Sequence, residues 1–385
     1  MIILLLILGS GSMSIQIGAF IIIFINFLRI LFFAFKHKYL NNAVTLCFLF
    51  LTAAITVSAI MSVIQAVSFA EIVLYNFSMY LFIMLFLSAK TKIIDYKGYM
   101  NAALVFSFIV IFLVCAGMFN IFGGRQLQAK ALKILSGMDG QKPIAGIIFQ
   151  GFYLQGTLTL IPACVFFIHQ KNYKNFLICF FALALSLSRF GLLTVIFCYC
   201  LMNKKKVSRI FLGMSILILV GYIFQFPILI SLMQLFSGKD DGMSIRMGHL
   251  LGIIEVFEEN PIYFFFGQGP GSVFYSYGFN KMTSTVEISQ FDFLRKYGVF
   301  TTVFFVLIVL FAAICLIYRT DRTGRGLGYG IIAHFIVSIS NPVLLSIPFV
   351  SYFAICIVYY IENSANISTY KRQASISNSY EGEQK

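Results

Sequence analysis

The residue types best suited to chemistry in this chain concentrate between Gly238 and Gln290, with long apolar runs on either side. Six of the 14 acidic residues lie in this stretch: Asp240, Asp241, Glu255, Glu258, Glu259 and Glu287. The stretch also contains Arg246, His249 and the sequence Gly-Gln-Gly-Pro-Gly at 267–271. An arginine can bind a phosphate or a carboxylate through two parallel hydrogen bonds, and a carboxylate or an imidazole can accept a proton. These groups could therefore bind an anion and transfer a proton.

Arg246 occupies a position where a cation needs a partner. Residues 244–260 are expected to form a helix that Pro261 ends. At about 100° per residue, the helix has one apolar stripe and one acidic face. The stripe is Leu250, Ile253, Ile254 and Phe257, and the acidic face is Glu255, Glu258 and Glu259. Because Arg246 falls within the stripe, we expect it to face protein or lipid and to bind a phosphate or a carboxylate. A salt bridge to a nearby acid is the alternative.

Two further side chains are candidate proton acceptors. Glu287 stands just before the next apolar run, where it could accept a proton from a hydroxyl or pair with Arg246 or Lys281. His249, at the edge of the stripe, is either a second base or a buried polar group. We predict no metal site, because the adjacent aspartates at 240–241 have no further ligands near them. The glycine-rich turn lacks the Lys-Ser/Thr of a nucleotide-binding loop.

Composition places these groups in a membrane protein. Of the 385 residues, 60% are hydrophobic and 11% charged, whereas a typical soluble domain has about 25% charged residues. We predict an all-α, polytopic membrane domain over 1–361 with about 11 transmembrane helices, some of them short and paired as hairpins. The segment 362–385 is predicted to be a disordered cytoplasmic tail. All eight cysteines lie in apolar runs, which is typical of buried thiols rather than disulfides.

The basic residues predict the topology. The candidate spans are 13–35, 43–64, 70–89, 99–122, 144–168, 176–188, 190–203, 209–230, 291–317, 327–340 and 343–361. Lys and Arg lie mainly in the short connectors, which the positive-inside rule assigns to the cytoplasm. The net charge of +14 therefore reflects topology and not nucleic-acid binding. Two loops become exoplasmic, a large one at 231–290 and a smaller one at 123–143. The orientation of the N-terminus stays open.

The segment 176–203 lies between two basic connectors, so it must cross the membrane an even number of times. Its roughly 28 residues are too few for two full-length helices at 1.5 Å per residue. We predict a hairpin of short helices with its tip at 186–189, and a second hairpin over 327–361 with its tip at 340–342. The first tip brings Arg189 to the exoplasmic face. A cation at membrane depth is usually functional, although an arginine that snorkels from a helix end is common.

The smaller exoplasmic loop is basic, against the positive-inside trend. It contains Arg125, Lys130, Lys133 and Lys142 with one acid, Asp139. One interpretation is attraction to an anionic lipid head group or a polyanionic glycan. A solvated loop with no ligand is the alternative.

A series of short motifs follows in order over roughly 180–350. They are Ser186-Leu-Ser188-Arg189, Ser244-Ile-Arg246, Asn260-Pro261, the 267–271 turn, the segment Glu287–Gly298 and Ser340-Asn341-Pro342. This order resembles the O-antigen polymerase (Wzy) and O-antigen ligase superfamily of polytopic membrane glycosyltransferases. Ligases of that superfamily have a His-Asn pair where this chain has Glu287-Ile288, so the resemblance is closer to the polymerases.

The resemblance implies glycosyl transfer at the exoplasmic face of the bacterial inner membrane. A glycan on polyprenyl diphosphate would be joined to a lipid-linked repeat unit, to build O-antigen, capsule or exopolysaccharide. Arg189, Arg246 and Arg125 would bind the diphosphate, Glu287 would act as the base, and His249 is the second choice for it. No cofactor or metal is implied. The implied partners are the lipid-linked oligosaccharide, the bilayer, a flippase and a chain-length regulator.

Two other activities remain open. One is ligation of the finished glycan to a lipid or protein acceptor. The other, of a different class, is transport of the lipid-linked oligosaccharide. A transporter is expected to carry charges near the bilayer midplane and internal repeats. The predicted spans are almost free of charge and show no inverted repeat, which favours an enzyme.

Overall fold

A computed structural model describes residues 42–90, 92, 94–119, 123, 126–127, 130, 141–143, 150–152, 155–186, 188–203, 241–286, 288–339, 341, 344, 346 and 348–363. The predicted spans 13–35 and 209–230, and the tail after residue 363, lie outside these ranges.

The described residues are mostly α-helical, as the apolar runs predict, with two short β-hairpins in addition. The helices are α1 Asn42–Ile64, α2 Phe69–Lys90, α3 Tyr96–Phe119, α4 Leu160–His169, α5 Tyr173–Leu185, α6 Arg189–Met202, α7 Asp241–Glu259, α8 Ile262–Phe266, α9 Ser289–Arg319, α10 Arg322–Val337 and α11 348–363. A 3-10 helix, Gln155–Thr159, precedes α4. The antiparallel hairpins are β1 Gln141–Pro143 with β2 Gln150–Phe152, and β3 Phe274–Ser276 with β4 Lys281–Thr283.

Two of the described helices are long and apolar enough to cross a membrane. They are Tyr96–Gly117 within α3, and α9. The short helix α4 lies inside the bundle, where it contacts α5, α6 and α10. Its residues from Leu160 to Phe167 are buried and none is charged, so α4 is apolar all round, as a helix enclosed by others must be.

The connector after α4, the end of α6 and the start of α10 meet at one end of the bundle. Arg322 donates to the carbonyl of His169 from Nε at 3.3 Å and from Nη2 at 3.0 Å. Lys171, Asn203 and Arg325 line one cavity with these two residues. Connectors that the positive-inside rule assigns to one side of the membrane thus share one end.

Two helical hairpins lie where the sequence predicts them. The first is α5 and α6, of 13 and 14 residues, with Ser186 and Ser188 between them. The second is α10 and α11. Tyr352 donates to the carbonyl of Leu327 at 3.0 Å, and Tyr359 donates to the carboxylate of Asp321 at 2.8 Å, so these two helices run antiparallel.

Two predicted spans differ from the structure. The span 144–168 was placed too early, because residues 150–152 form β2 and helical structure starts only at Gln155. The span 291–317 corresponds to α9, but Gly298 interrupts it with φ 76° and ψ 170°. That backbone conformation is open essentially to glycine alone. It separates a polar first segment, Ser289–Tyr297, from the apolar remainder of α9.

Residues 241–286, here called the cap, fold as a layer of α7, α8 and the β3–β4 hairpin. The cap has a small core of its own, formed by Ile253, Val256, Phe274 and Val286. It contacts the first segment of α9, whose Gln290 donates to the carbonyl of Phe335 near the end of α10 at 3.1 Å. That end of α10 is opposite to Arg322. The cap therefore covers the end of the bundle away from the basic connectors.

Candidate functional site

Helix α7 packs on the β3–β4 hairpin through glycines. A Cβ on Gly248 would overlap the backbone of Gly278, and a Cβ on Gly252 would overlap the carbonyl of Tyr275. Backbone therefore meets backbone, and the buried face of α7 consists of Gly248, His249, Gly252, Ile253 and Val256. The predicted apolar stripe was partly wrong. Its member Ile254 is 42% exposed, because the small residues, and not the large apolar ones, face the hairpin.

His249 lies fully buried between α7 and the hairpin. Its Nδ1 is 2.6 Å from Oγ of Ser276, and its ring meets the ring of Phe279 edge-on with centroids 4.4 Å apart. Ser276 Oγ also accepts the backbone N–H of Phe279 at 3.2 Å. These contacts fasten the hairpin turn to α7. In this conformation the imidazole presents no surface to a substrate, and its role as a base stays a prediction.

Arg246 borders the same buried face, one turn before His249. The residue is half-buried, and its Nε atom is enclosed by protein. Glu258 and Glu259 are exposed on the far side of α7. The predicted exposure of the acidic face is confirmed for Glu258 and Glu259, whereas Glu255 is half-buried and accepts a hydrogen bond from Tyr277 of the hairpin. The described helix begins at Asp241 rather than at 244 and ends at Glu259.

The glycine-rich turn joins the cap to α9. The N–H of Gln268 donates to the carbonyl of Arg295 at 2.6 Å, and the N–H of Gly269 donates to the carbonyl of Lys296 at 3.2 Å. A Cβ on Gly267 would overlap the Lys296 carbonyl, and Gly267 has φ 83°. The turn can approach α9 this closely only because it carries no side chain there. The predicted tight backbone at 267–271 is confirmed.

The cap is also joined to the end of α1. Ser62 Oγ donates to the carbonyl of Pro270 at 2.8 Å. Gln65 Nε2 donates to the hydroxyl of Tyr263 at 2.6 Å. The cap therefore bridges α1 and α9, two elements more than 200 residues apart in the chain.

Arg295, in the first segment of α9, binds the cap from below and is 0% exposed. Within α9, Arg295 donates to Asp292 Oδ1 from Nε at 3.3 Å and from Nη2 at 2.9 Å. Towards the cap, Nη1 donates to Gln268 Oε1 at 2.7 Å and to Ser272 O and Oγ at 3.1 and 3.0 Å. Nη2 also donates to Ser284 O at 2.8 Å. The guanidinium also lies 4.5 Å from the ring centroid of Phe274. A buried guanidinium with this many acceptors is a structural anchor, since the planar fork fixes several partners at once.

One carboxylate serves two cations at this anchor. Asp292 accepts from Arg295 through Oδ1 and from Lys296 Nζ through Oδ2 at 2.6 Å. All three residues are less than 10% exposed. The triad itself has a formal charge of +1 and lies buried beneath the cap.

The remaining candidates are only partly placed. Arg125 and Glu287 lie outside the described residues. Arg189 is the first residue of α6, and the structure describes its backbone. Gly191, two residues after it, lies close to Ser188 and to Ile161 at the start of α4, so the α5–α6 turn lies at the end opposite to His169. The tip of this hairpin and the cap thus share one end of the bundle.

Arg295 and Lys296 were not among the predicted site residues, although both lie in the motif segment Glu287–Gly298. A signal was present: Asp292, Arg295 and Lys296 have the i, i+3, i+4 spacing of ion pairs on one helix face. Charges at the start of an apolar span also need partners. What the sequence could not show is that the partners include Gln268 and Ser272 of the glycine-rich turn.

Chemically, the site offers a rigid cap, cations beneath it and no metal cluster within the described ranges, since no three His, Cys, Asp or Glu side chains group there. No protein-family profile, curated protein or solved structure matches the chain.

Proposed function

We propose that this protein is a polysaccharide repeat-unit polymerase of the bacterial inner membrane, a multi-pass protein that works at the exoplasmic face. The observation that carries the proposal is the polarity of the bundle. The basic residues Lys171, Arg322 and Arg325 lie at one end, around His169, and the folded cap covers the other. By the positive-inside rule the basic end is cytoplasmic. The cap, with most of the polar side chains able to bind a substrate, then faces the exoplasm.

The multi-pass architecture draws support from the helices themselves. In addition to the two strong spans, α1 and α2 have 23 and 22 residues of largely apolar sequence. About 20 such residues cross the hydrocarbon core. Around 11 crossings, as the sequence predicts, would include spans outside the described residues.

The reaction we propose is a displacement at the anomeric carbon of a glycan on polyprenyl diphosphate. A hydroxyl of a lipid-linked repeat unit attacks this carbon, a new glycosidic C–O bond forms, and the bond to the diphosphate oxygen breaks. The hydroxyl proton passes to Glu287, with His249 as the second choice. The lipid diphosphate leaves with its electron pair.

Cations near the leaving diphosphate would lower the barrier. Arg189, Arg246 and Arg125 are the candidates, because an arginine binds two phosphate oxygens in one plane. The net positive triad of Asp292, Arg295 and Lys296 adds to the same potential. Loss of one such contact typically slows a reaction by about 100-fold. The bilayer would hold both lipid substrates in one plane and so supply proximity.

Deletion and complementation in the host test this function. A deletion strain should accumulate single repeat units and lack long polymer, and the wild-type gene should restore the polymer. Arg246→Ala and Arg189→Ala should fail to restore it at equal membrane abundance. Arg319→Ala, at the basic end, is the matched control and should restore it. Long polymer in the deletion strain would refute the polymerase.

The same strain separates the alternatives. Long polymer left on its lipid carrier would identify a ligase. Repeat units that accumulate on the cytoplasmic side would identify a transporter of lipid-linked oligosaccharide.

A further inference from the structure

The outward face of the β3–β4 hairpin carries exposed aromatic rings. Tyr275 and Tyr277 are 43% and 46% exposed, and their rings form a T-shaped pair with centroids 5.2 Å apart. Met282 lies directly across from Tyr275 in the register of the hairpin and is 57% exposed. The inward residues of the same strand, Phe274 and Ser276, are buried. Three large side chains therefore cover the hairpin face that the cap core does not use.

A carboxylate on α7 borders this surface and fixes one ring. The hydroxyl of Tyr277 lies 3.1 Å from Oε1 and 2.9 Å from Oε2 of Glu255. This hydrogen bond and the charge of Glu255 raise the pKa of Tyr277, so the phenol stays protonated and keeps its donor. Tyr275, Tyr277, Met282 and Glu255 are here called the tyrosine shelf. Its rings are held in place although they are exposed.

A second exposed aromatic surface of the cap has different chemistry. Phe264, Phe265 and Phe266 of α8 are 38%, 45% and 47% exposed. Phe265 and Phe266 both pack near Phe300, at 5.9 and 6.2 Å between ring centroids. Phe300 begins the exposed apolar stripe of α9, which continues through Val303, Leu307 and Phe311. These phenylalanines carry no polar atom and continue the face of a candidate membrane span, so acyl chains suit them.

The tyrosine shelf suits a different ligand. A pyranose ring has a face of C–H groups that stacks on an aromatic ring and an edge of hydroxyls that donate to a carboxylate. The shelf offers both, side by side. An anionic ligand is disfavoured, because Glu255, Glu258 and Glu259 outnumber Lys281, whose ammonium lies 5.6 Å from the ring centroid of Phe279. Acyl chains would offer this carboxylate no hydrogen-bond donor in addition to Tyr277.

We propose that the tyrosine shelf is a glycan-binding subsite that holds sugar residues of the polysaccharide through stacking on Tyr275 and Tyr277 and hydrogen bonds to Glu255. This assignment rests on the proposed function, since it needs the cap to face the glycan. It adds a contact for the sugars, separate from the cations that would hold the diphosphate. The shelf would keep a growing chain near the cap between transfers.

Direct binding tests the subsite. The probe is the host's own polysaccharide, released from its lipid and immobilised, with the full-length protein in phosphatidylcholine nanodiscs as analyte. Tyr275→Ala and Tyr277→Ala should each raise Kd about tenfold, as for loss of a ring that stacks on a ligand. Tyr277→Phe, which removes one hydroxyl, and Glu255→Gln, which replaces one carboxylate oxygen by an amide nitrogen, should each raise it about threefold.

Phe266→Ala is the matched control, an exposed aromatic ring of the same cap that should leave Kd unchanged. If the wild-type protein bound neither the polymer nor fragments of it, the proposed subsite would be refuted. A Tyr275→Ala/Tyr277→Ala double variant with the wild-type Kd would do the same. Thermal unfolding midpoints of all variants should stay close to that of the wild type, since the tyrosines and Phe266 are exposed and Glu255 is only half-buried.

A second readout separates failure of the subsite from failure of the proposed function. In the complemented deletion strain, the double variant should still join repeat units but yield chains shortened at least twofold in modal length. If deletion abolishes the polymer and the double variant restores full-length chains, the proposed polymerase activity is supported and the proposed subsite is refuted. If the deletion strain still makes long polymer, the polymerase falls, and the nanodisc titration alone decides whether the shelf binds glycan.

Discussion

Gln268 and Arg295 contact each other twice. The backbone N–H of Gln268 donates to the carbonyl of Arg295 at 2.6 Å, and the side-chain oxygen of Gln268 accepts from Nη1 of Arg295 at 2.7 Å. One residue of the glycine-rich turn is thereby fixed to one residue of α9 through backbone and side chain together. This double contact sets the height of the cap above the bundle, and so the depth at which any substrate would be held.

Arg295→Gln should destabilise the cap by about 3–5 kcal/mol, the usual loss when one partner is removed from a buried ionic cluster. The reason is that Gln268, Ser272 and Ser284 would each lose a charged donor in a largely buried site. The measurement is the thermal unfolding midpoint in detergent, together with the rate of proteolysis within 241–286. Arg319→Gln, exposed at the other end of α9, is the control and should stay within about 0.5 kcal/mol. Wild-type protease resistance in Arg295→Gln would show that the cluster does not hold the cap.

Gly298→Ala should be strongly destabilising for two reasons. Its φ of 76° and ψ of 170° are open essentially to glycine alone, and a Cβ there would overlap the carbonyl of Phe265. We expect a loss of about 3 kcal/mol in the free energy of unfolding. Gly123, with φ 65° and nothing within 4 Å of a Cβ, is the matched control. Gly123→Ala should lose only about 1 kcal/mol, from backbone strain alone. Equal losses would mean that the contact with Phe265 contributes nothing.

Much of the bundle could be predicted because a helix face that contacts lipid and a helix face that packs on other helices both require apolar residues. Runs of apolar residues gave α1, α2 and α3 to within three residues at each end. Counting of the basic connectors also predicted the short α5–α6 hairpin, which length alone would have merged into one span. These are local properties of the chain, so the sequence records them directly.

The cap could be predicted less well because its packing depends on partners distant in the sequence. The buried face of α7 is the face that carries Gly248 and Gly252. Their importance is visible only in the folded structure, where the backbone of Tyr275 and Gly278 lies against them. The strand at 150–152 was missed for a different reason. It pairs locally with 141–143, but the apolar residues around it are also typical of a membrane span.

His249 and Ser276 should be energetically coupled. Their side chains lie 2.6 Å apart and buried, so the pair should contribute about 1 kcal/mol that either substitution alone removes. A double-mutant cycle with His249→Ala and Ser276→Ala, followed by thermal unfolding, measures this term. Glu287→Gln provides the contrast: it should reduce polymer formation with little change in the unfolding midpoint. Additive effects of the two alanines, with loss of polymer in His249→Ala alone, would instead favour a catalytic histidine.

Asp321, at the basic end, should make the α9–α10 turn sensitive to acid. Burial alone would raise the pKa of Asp321, but hydrogen bonds from the N–H of Gly324 and the hydroxyl of Tyr359 outweigh it and lower the pKa overall. A carboxylate with a lowered folded-state pKa stabilises the fold above its unfolded pKa of about 3.9. That contribution is lost as the pH falls through the lower folded-state pKa. Asp321→Ala, which also removes an N-cap, should lose about 1 kcal/mol at pH 7. The difference between wild type and variant should shrink towards pH 3 in unfolding experiments. A difference that stays constant from pH 7 to pH 3 would show that the ionised carboxylate is not what caps α10.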